Sequence, residues 1–187
     1  VVQQDGSYTY TAKGDSYGTD VFEYKLTSVA GSSDSAELTF NVGMNATGSE
    51  YDDKISSTAG NDTFEGGLGS DTFNFDLLDD DDATGGNGVD TWTDFHFGEV
   101  GTDANADANA DVLNISALLP EGTEDIDLNG LRDFLKLDFN EEEQSITVSI
   151  DRDGEGSRFE FEELLVLTNQ NEAKSLDDLF NNDQIIY

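Results

Sequence analysis

Apolar and polar residues alternate along the first part of the chain. The segments SYTYT (7–11), DVFEYKLTS (20–28) and SAELTFNV (35–42) carry an aromatic or aliphatic side chain at every second position. This alternation predicts strands of a sheet with one apolar face, and the Gly-, Asp- and Ser-containing segments between them predict turns. Because about forty residues are too few to close an independent sandwich, residues 1–43 are interpreted as strands of a truncated module or as half of a split sandwich.

A period of nine residues replaces this alternation after residue 47. Three contiguous copies read GSEYDDKIS (48–56), STAGNDTFE (57–65) and GGLGSDTFN (66–74), and a fourth, GGNGVDTWT, covers 85–93. The eighth position of each copy is apolar. The sixth positions are Asp53, Asp62, Asp71 and Asp90. The nonapeptide G-G-x-G-x-D-x-U-x, with U apolar, is a calcium-binding repeat, so residues 44–98 predict a short parallel calcium β-roll.

The geometry of such a repeat predicts which aspartates lie together. The first six residues form a turn, in which glycine allows positive φ and carbonyl oxygens approach the ion, and the last three form a short strand. Since one turn of a roll uses two copies, loops about eighteen residues apart clamp the ion. This spacing pairs Asp53 with Asp71 and Asp62 with Asp80. It also requires one bulged residue between Asp71 and Asp90.

The rest of the chain, residues 99–187, predicts a β-rich domain. Alternation over 144–167 with a D-G turn predicts a hairpin, and 184–187 predicts an edge strand. Helical spacing of apolar residues predicts a helix over 128–135, and Ser175 is the expected cap of a short helix over 175–180. The predicted fold is therefore all-β with minor α, combining the β-roll with antiparallel sandwich strands and one or two short helices.

The composition is dominated by negative charge. The 187 residues carry 42 Asp and Glu against 8 Lys and Arg, a net charge of −34. Self-repulsion on this scale opposes compaction unless cations neutralise it, and so few basic residues argue against nucleic acid as a partner. No apolar run approaches transmembrane length. Aromatic residues supply a core, while the absence of Cys excludes disulfides and thiolate metal sites.

Acidic segments outside the repeats are weaker metal candidates. Four consecutive carboxylates, at 79–82, are expected to need a cation. The run DANADANAD (103–111) offers Asp103 and Asp107 at the spacing of a calcium loop, although a solvated low-complexity loop has the same composition. Residues 43–47 are interpreted as a linker.

A further acidic segment, DRDGEGSRFEFE, places carboxylates at the first, third and fifth positions of an EF-hand loop. These residues are Asp151, Asp153 and Glu155. The flanking residues predict strands rather than helices, and Arg158 stands where an EF-hand has an apolar residue. We therefore favour a plain hairpin turn over an EF-hand.

Motifs of enzymes are missing from the sequence. His96 is the only histidine, so a histidine-rich zinc site cannot form. No G-x-S-x-G, H-E-x-x-H or P-loop motif occurs. We therefore expect no catalytic activity.

The order of these features resembles the C-terminal region of giant repeats-in-toxin (RTX) adhesins of Gram-negative bacteria. The first 42 residues look like closing strands of an Ig-like extender module, and ATGSEYDDKI and AGNDTFEGGLGSDTFNF resemble the calcium roll. The segments DVLNISALL, LRDFLKLDF and SLDDLF followed by QIIY are similar to the terminal type I secretion region. The nonapeptides themselves are shared with RTX toxins, proteases and lipases, so they indicate calcium rather than a particular activity.

The resemblance implies a set of calcium ligands. It implies the four repeat aspartates together with the carbonyl oxygens of Gly60, Gly67, Gly69, Gly86 and Gly88. It also implies that Asp94 and Asp111 match acidic positions that cap the roll. The expected cofactor is therefore Ca²⁺.

Two classes of function remain open on this basis. The first is a monomeric, secreted or cell-surface folding and secretion module of an adhesin, which interacts with calcium and the type I secretion machinery. The second is a calcium-binding accessory domain of an RTX enzyme such as a lipase or protease, or a calcium-dependent carbohydrate-binding module.

Overall fold

The computed structural model of the protein describes residues 9–11, 16–28, 30–101 and 106–187. Their regular structure is mostly strand, with two short helices, which confirms the prediction of a β-rich fold with minor α. The strands are β1 (Gly18–Thr27), β2 (Ser33–Val42), β3 (Asn45–Thr47), β4 (Lys54–Ser56), β5 (Thr63–Glu65), β6 (Thr72–Asn74), β7 (Asp90–Trp92), β8 (Val112–Asn114), β9 (Leu135–Asn140), β10 (Ser145–Ile150), β11 (Glu162–Leu167) and β12 (Ile185–Ile186). The helices are α1 (Leu128–Leu131) and α2 (Leu176–Asn181).

The short strands β3 to β8 wind into a parallel coil, which we call the coil (residues 43–114). Successive strands go alternately to two sheets, so β3, β5 and β7 are neighbours in one sheet and β4, β6 and β8 in the other. Lys54 lies opposite Thr72 and Asn45 lies opposite Thr63, with parallel direction in both pairs. Each full turn at these positions therefore uses two nonapeptides, as predicted.

The coil is longer than the four recognisable repeats. The interpretation of residues 43–47 as a linker is wrong, because Asn45–Thr47 is strand β3. At the other end, β8 occupies the strand positions of a degenerate fifth repeat, residues 106–114, which has no glycine. Backbone pairing holds these end copies in register without the sequence signature.

The C-terminal part joins the coil edge to edge. Strands β9, β10 and β11 form an antiparallel meander, and β11 pairs in parallel with β7 to extend that sheet to six strands. Strand β12 pairs with β8 at the end of the four-stranded sheet, which confirms the predicted edge strand. Helix α2 begins after Ser175, whose side chain forms a capping box with Asp178, as the sequence indicated.

The helix predicted over 128–135 is wrong in length. Helix α1 ends at Leu131, and Leu135 already begins strand β9. The local spacing fits a helix, but the alternation that starts at Leu135 pairs with β10 across a full ladder. Tertiary pairing therefore overrides the short helical pattern.

One hydrophobic core connects the coil with the C-terminal part. The apolar residues at the eighth repeat position point into it, and Phe64, Phe73 and Trp92 are fully buried. Phe64 and Phe73 stack with ring centroids 5.3 Å apart. Burying each such ring stabilises the fold by roughly 1.5–3 kcal/mol. The core continues across residue 98 into β10 and β11, while the domain boundaries drawn from the sequence stay predictions.

The first two strands form a separate ribbon. The antiparallel register places Phe22 opposite Leu38 and Asp20 opposite Phe40, so the apolar side chains share one face as predicted. Tyr10 stacks on Phe40 at this face, with 4.3 Å between ring centroids. Among the described strands, β1 and β2 pair only with each other, and none of their residues belongs to the core cluster. Neither strand pairing nor a shared core links the described strands of this ribbon with 144–187, and both interpretations of residues 1–43 stay predictions.

Candidate metal site in the aspartate ladder

Carboxylates at the sixth repeat position form a ladder along both edges of the coil. From Asp62 onward, each accepts the backbone N–H of the sixth-position residue one turn earlier, and we call each sixth-position aspartate with its bonds a rung, Asp53 included. The four N–H donor and Oδ1 acceptor pairs are Met44 to Asp62 (2.5 Å), Asp53 to Asp71 (2.8 Å), Asp62 to Asp90 (2.8 Å) and Asp71 to Asp111 (2.9 Å). The sequence pattern thus places these carboxylates side by side on neighbouring loops.

The ladder confirms one predicted pairing and corrects two. Asp53 and Asp71 are neighbours, as expected from the spacing. Asp62 pairs with Asp90 rather than with Asp80, and Asp71 pairs with Asp111 rather than with Asp90. Insertions that begin at residues 75 and 94 separate the copies, and the strand that follows each of them, β7 or β8, joins the sheet opposite to that of the preceding strand. Sequence distance is therefore not conserved along the ladder.

Glycines allow the loops of the coil to stack closely. A Cβ added to Gly67 would lie 2.1 Å from Ser49 O, and one added to Gly60 would lie 2.2 Å from Gly43 N. Gly67 also has φ +101°, in the region that favours glycine. Similar close approaches occur at Gly69 (2.7 Å to Asp52 N), Gly86 (2.9 Å to Asp79 N) and Gly88 (2.7 Å to Asn61 Oδ1). All five glycines that the resemblance implies as ligands thus lie against neighbouring backbone or side-chain atoms.

Two rungs carry a polar atom that the protein does not satisfy. Among the described residues, Asp71 Oδ2 and Asp90 Oδ2 are the buried side-chain oxygens without a hydrogen-bond partner. Their residues are 1% and 0% exposed. Leaving a charged acceptor buried and unpaired costs about 1–3 kcal/mol or more, so these oxygens are the places where a cation would be most stabilising.

Burial also changes the acidity of the ladder. It raises the pKa of Asp90 to about 7, with the Asp62 carboxylate adding to the effect. Burial likewise raises the pKa of Asp111 to about 7, and it raises the pKa of Asp71 next to Asp53 and Asp94. The ladder therefore holds carboxylates whose negative charge is poorly compensated by the protein itself.

The donor chemistry of the ladder fits a hard divalent cation. In the described part of the chain, no three carboxylate or imidazole side chains converge on one point. A metal at a rung would therefore have to use one or two carboxylates together with backbone carbonyl oxygens of the glycine loops. Calcium accepts such all-oxygen sets, with carbonyls among its ordinary ligands. The orphaned oxygens and the close glycine loops thus fit calcium.

Asp94 and Asp111 both accept hydrogen bonds that connect the coil with the insertion that begins at residue 94. Asp94 accepts the N–H groups of Gly66 and Gly67, both at 2.8 Å, and the Trp92 indole at 3.1 Å. Asp111 accepts the His96 N–H at 2.8 Å through its second oxygen. Asp94 therefore lies beside the ladder, whereas Asp111 is its last rung.

Asp80 lies away from the ladder, and its predicted pairing with Asp62 is wrong. Its carboxylate contacts Arg152 at 3.2 Å and Arg158 at 3.3 Å, and these guanidinium groups lower the pKa of Asp80. Asp81 also pairs with Arg158, at 2.6 Å. The cations that accompany this run of four carboxylates are therefore arginines from the turn after β10.

The remaining acidic candidates fall into two groups. Asp107 pairs with His96 at 2.8 Å, and the Asn109 N–H and this histidine lower its pKa. Asp103 lies outside the described residues. Its role, like a metal at Asp107, stays a prediction.

The EF-hand-like segment forms the turn of the β10–β11 hairpin, as favoured from the sequence. Asp153 accepts the N–H groups of Arg158 and Phe159, which close the turn and lower its pKa. Asp151 is buried and accepts the Asp153 N–H. Glu155 is exposed. These bonds account for the acidic residues as turn formers, and a metal ion there stays a prediction.

The melting temperature of the chain in chelator should rise as the pH falls. Because the folded pKa values of Asp90 and Asp111, about 7, lie above the ordinary 3.8, ionisation opposes folding above pH ~7 and this penalty fades as the pH falls. Lowering the pH from about 8 to about 5 should raise the melting temperature by roughly 5–10 °C. Differential scanning calorimetry in EDTA measures this shift, and a falling melting temperature over that range would contradict the assigned burial.

Comparison with known proteins adds no further assignment. No known family model matches this sequence, and no curated protein matches it. The described helices are too short and too polar to cross a membrane. Function must therefore be inferred from the ladder and from the repeat motif.

Proposed function

We propose that this chain is a calcium-dependent folding module, in which calcium bound along the aspartate ladder stabilises the coil. The observation that supports this most is the pair of buried, unpartnered carboxylate oxygens, Asp71 Oδ2 and Asp90 Oδ2, beside close-packed glycine loops. Bound calcium supplies positive charge to these oxygens. The carbonyl oxygens of the glycine loops would complete its ligand set.

The charge of the chain makes this binding a switch for folding. Without a cation, the ladder places ionised carboxylates on neighbouring loops of a chain with net charge −34, and repulsion favours the unfolded chain. A ligand that binds the folded state alone shifts the equilibrium by RT ln(1 + [L]/Kd). The chain should therefore be only partly folded, with a lower melting temperature, at low calcium and fully folded at high calcium.

This switch suits a protein that is exported unfolded. We infer a folding and secretion module of a secreted RTX adhesin, which stays exportable in the cytosol and folds outside the cell where calcium is abundant. The resemblance of the flanking segments to the type I secretion region supports this assignment. It implies a cell-surface location and no catalysis by the module itself.

Calcium titration tests the proposal. The chain is freed of metal with EDTA, dialysed, and followed by far-UV circular dichroism while calcium is added. We expect a cooperative gain of β signal with calcium and little or none with magnesium, because Mg²⁺ demands stricter octahedral geometry and dehydrates reluctantly. A full β signal in EDTA that calcium does not change would contradict the proposal.

A further inference from the structure

The rungs of the ladder differ, and the second position of each repeat sets the difference. This position is a hydroxyl residue, Ser49 or Thr58, in the first two copies and a glycine, Gly67 or Gly86, in the third and fourth. All four residues precede their rung aspartate by four positions. The copies can therefore be compared at one equivalent place in the loop, with and without a side-chain hydroxyl.

The hydroxyl residues satisfy their own rungs. Ser49 donates both its N–H (2.6 Å) and its hydroxyl (2.9 Å) to Asp53 Oδ2. Thr58 donates its N–H to Asp62 Oδ2 (2.5 Å) and its hydroxyl to Asp62 Oδ1 (2.7 Å). Charge-assisted bonds of this kind are the strong ones, so both carboxylates are stabilised without a metal.

In the copies with glycine at the second position, this residue donates no hydrogen bond to its own rung aspartate. Gly67 and Gly86 have no hydroxyl, and their N–H groups bond other carboxylates, Asp94 Oδ2 at 2.8 Å and Asp82 Oδ1 at 3.1 Å respectively. The rung aspartates of these copies are the two with an unpartnered buried Oδ2.

In the part of the chain that the structure describes, no other group donates a hydrogen bond to these two oxygens. The Ser57 hydroxyl, which lowers the pKa of Asp90, has a single hydrogen, and Asn87 Oδ1 at 2.9 Å or Thr58 O at 3.1 Å accepts it. The last rung, Asp111, has its second oxygen closed by the His96 N–H. Among the described rungs, only those of Asp71 and Asp90 therefore keep a buried oxygen without a partner, and we call these two rungs open.

We propose that the ladder takes up calcium at two rungs, Asp71 and Asp90, and that Ser49 and Thr58 replace the ion at the rungs of Asp53 and Asp62. The proposal rests on the calcium-dependent folding proposed above and adds its stoichiometry. Asp71 lies in the stack that starts at Asp53, and Asp90 lies in the stack of Asp62, so each edge of the coil holds one ion. The first turn of the coil then needs no metal of its own.

Four isosteric variants count the sites. Asp71→Asn and Asp90→Asn remove the open rungs, and Asp53→Asn and Asp62→Asn are the matched controls. Tightly bound calcium is counted by competition with a chromophoric chelator. We expect two tight ions for the wild type and for both controls, and one for each open-rung variant. Loss of an ion in Asp53→Asn or Asp62→Asn, with none lost in the open-rung variants, would overturn the proposal.

Melting in EDTA gives a second readout that does not depend on counting. Asp71→Asn and Asp90→Asn remove a buried unpaired charge and should melt several degrees higher than the wild type. Asp53→Asn and Asp62→Asn weaken hydrogen bonds that need the charge and should melt several degrees lower. The same sign for all four variants would overturn the assignment of two kinds of rung.

The two proposals fail in different ways. A wild-type chain that binds no calcium tightly would contradict the proposed function itself. Tight calcium in the wild type, with equal losses in all four variants, would leave calcium-dependent folding intact and reject the division of rungs.

Discussion

Replacing Gly67 with alanine should destabilise the calcium-loaded chain by about 3–5 kcal/mol, since a side chain there meets the backbone of the neighbouring loop. The new Cβ would lie 2.1 Å from Ser49 O, and φ is +101°. Neither the new Cβ nor Ser49 O can move away without separating the stacked loops. Thermal melting should show a loss of about 10 °C or more.

Gly122→Ala is the matched control for this substitution. Gly122 has φ +94°, so it carries the same backbone strain, but no atom lies within 4 Å of its added Cβ. We expect a loss of only about 1–2 kcal/mol from the left-handed conformation alone. Equal losses in the two variants would show that the loops of the coil are not closely stacked.

Replacing Arg152 with methionine should cost about 2–3 kcal/mol, because it leaves carbonyl oxygens under the acidic insertion without their donor. The Arg152 side chain is 6% exposed, and it donates to Asp82 O (2.7 Å), to Leu118 O (3.2 Å) and to the Asp80 carboxylate (3.2 Å). Without it, carbonyl groups lose their donor and the run of carboxylates loses its internal counterion. Urea denaturation measures the loss.

Arg132→Met provides the comparison for Arg152. Arg132 also pairs with an aspartate, Asp177, at 2.6 Å, but the two side chains are 48% and 46% exposed. Exposed pairs contribute about 0–1 kcal/mol, so this variant should denature almost like the wild type. A similar small effect for Arg152→Met would indicate that the insertion does not depend on this contact.

The sequence predicted the coil where the repeats are regular and failed where they are interrupted. Alternate copies, eighteen residues apart, gave the pairing of Asp53 with Asp71. The partner of Asp62 could not be deduced, because nothing local shows that residues 75–84 leave the coil and that Asp90 continues the stack. Only the three-dimensional alternation of sheets decides this.

Some parts of the ladder have almost no sequence signal. Met44 contributes to it only through a backbone N–H, and Asp111 stands in a copy without glycine. Arg152 lies 72 positions from Asp80, so their contact could not be inferred from spacing. The hydroxyls of Ser49 and Thr58 are visible as departures from the repeat, but their bonds to the rungs become apparent only in the folded loops.

Hydrogen–deuterium exchange of the wild-type chain in calcium and in EDTA tests the central claim most directly. The amide groups of Asp53, Asp62 and Asp71 donate to carboxylates of the ladder, so peptides covering these residues report its closure. We predict strong protection in calcium and a marked loss of protection in EDTA. Equal protection of these peptides in both conditions would contradict a coil that is stabilised by calcium.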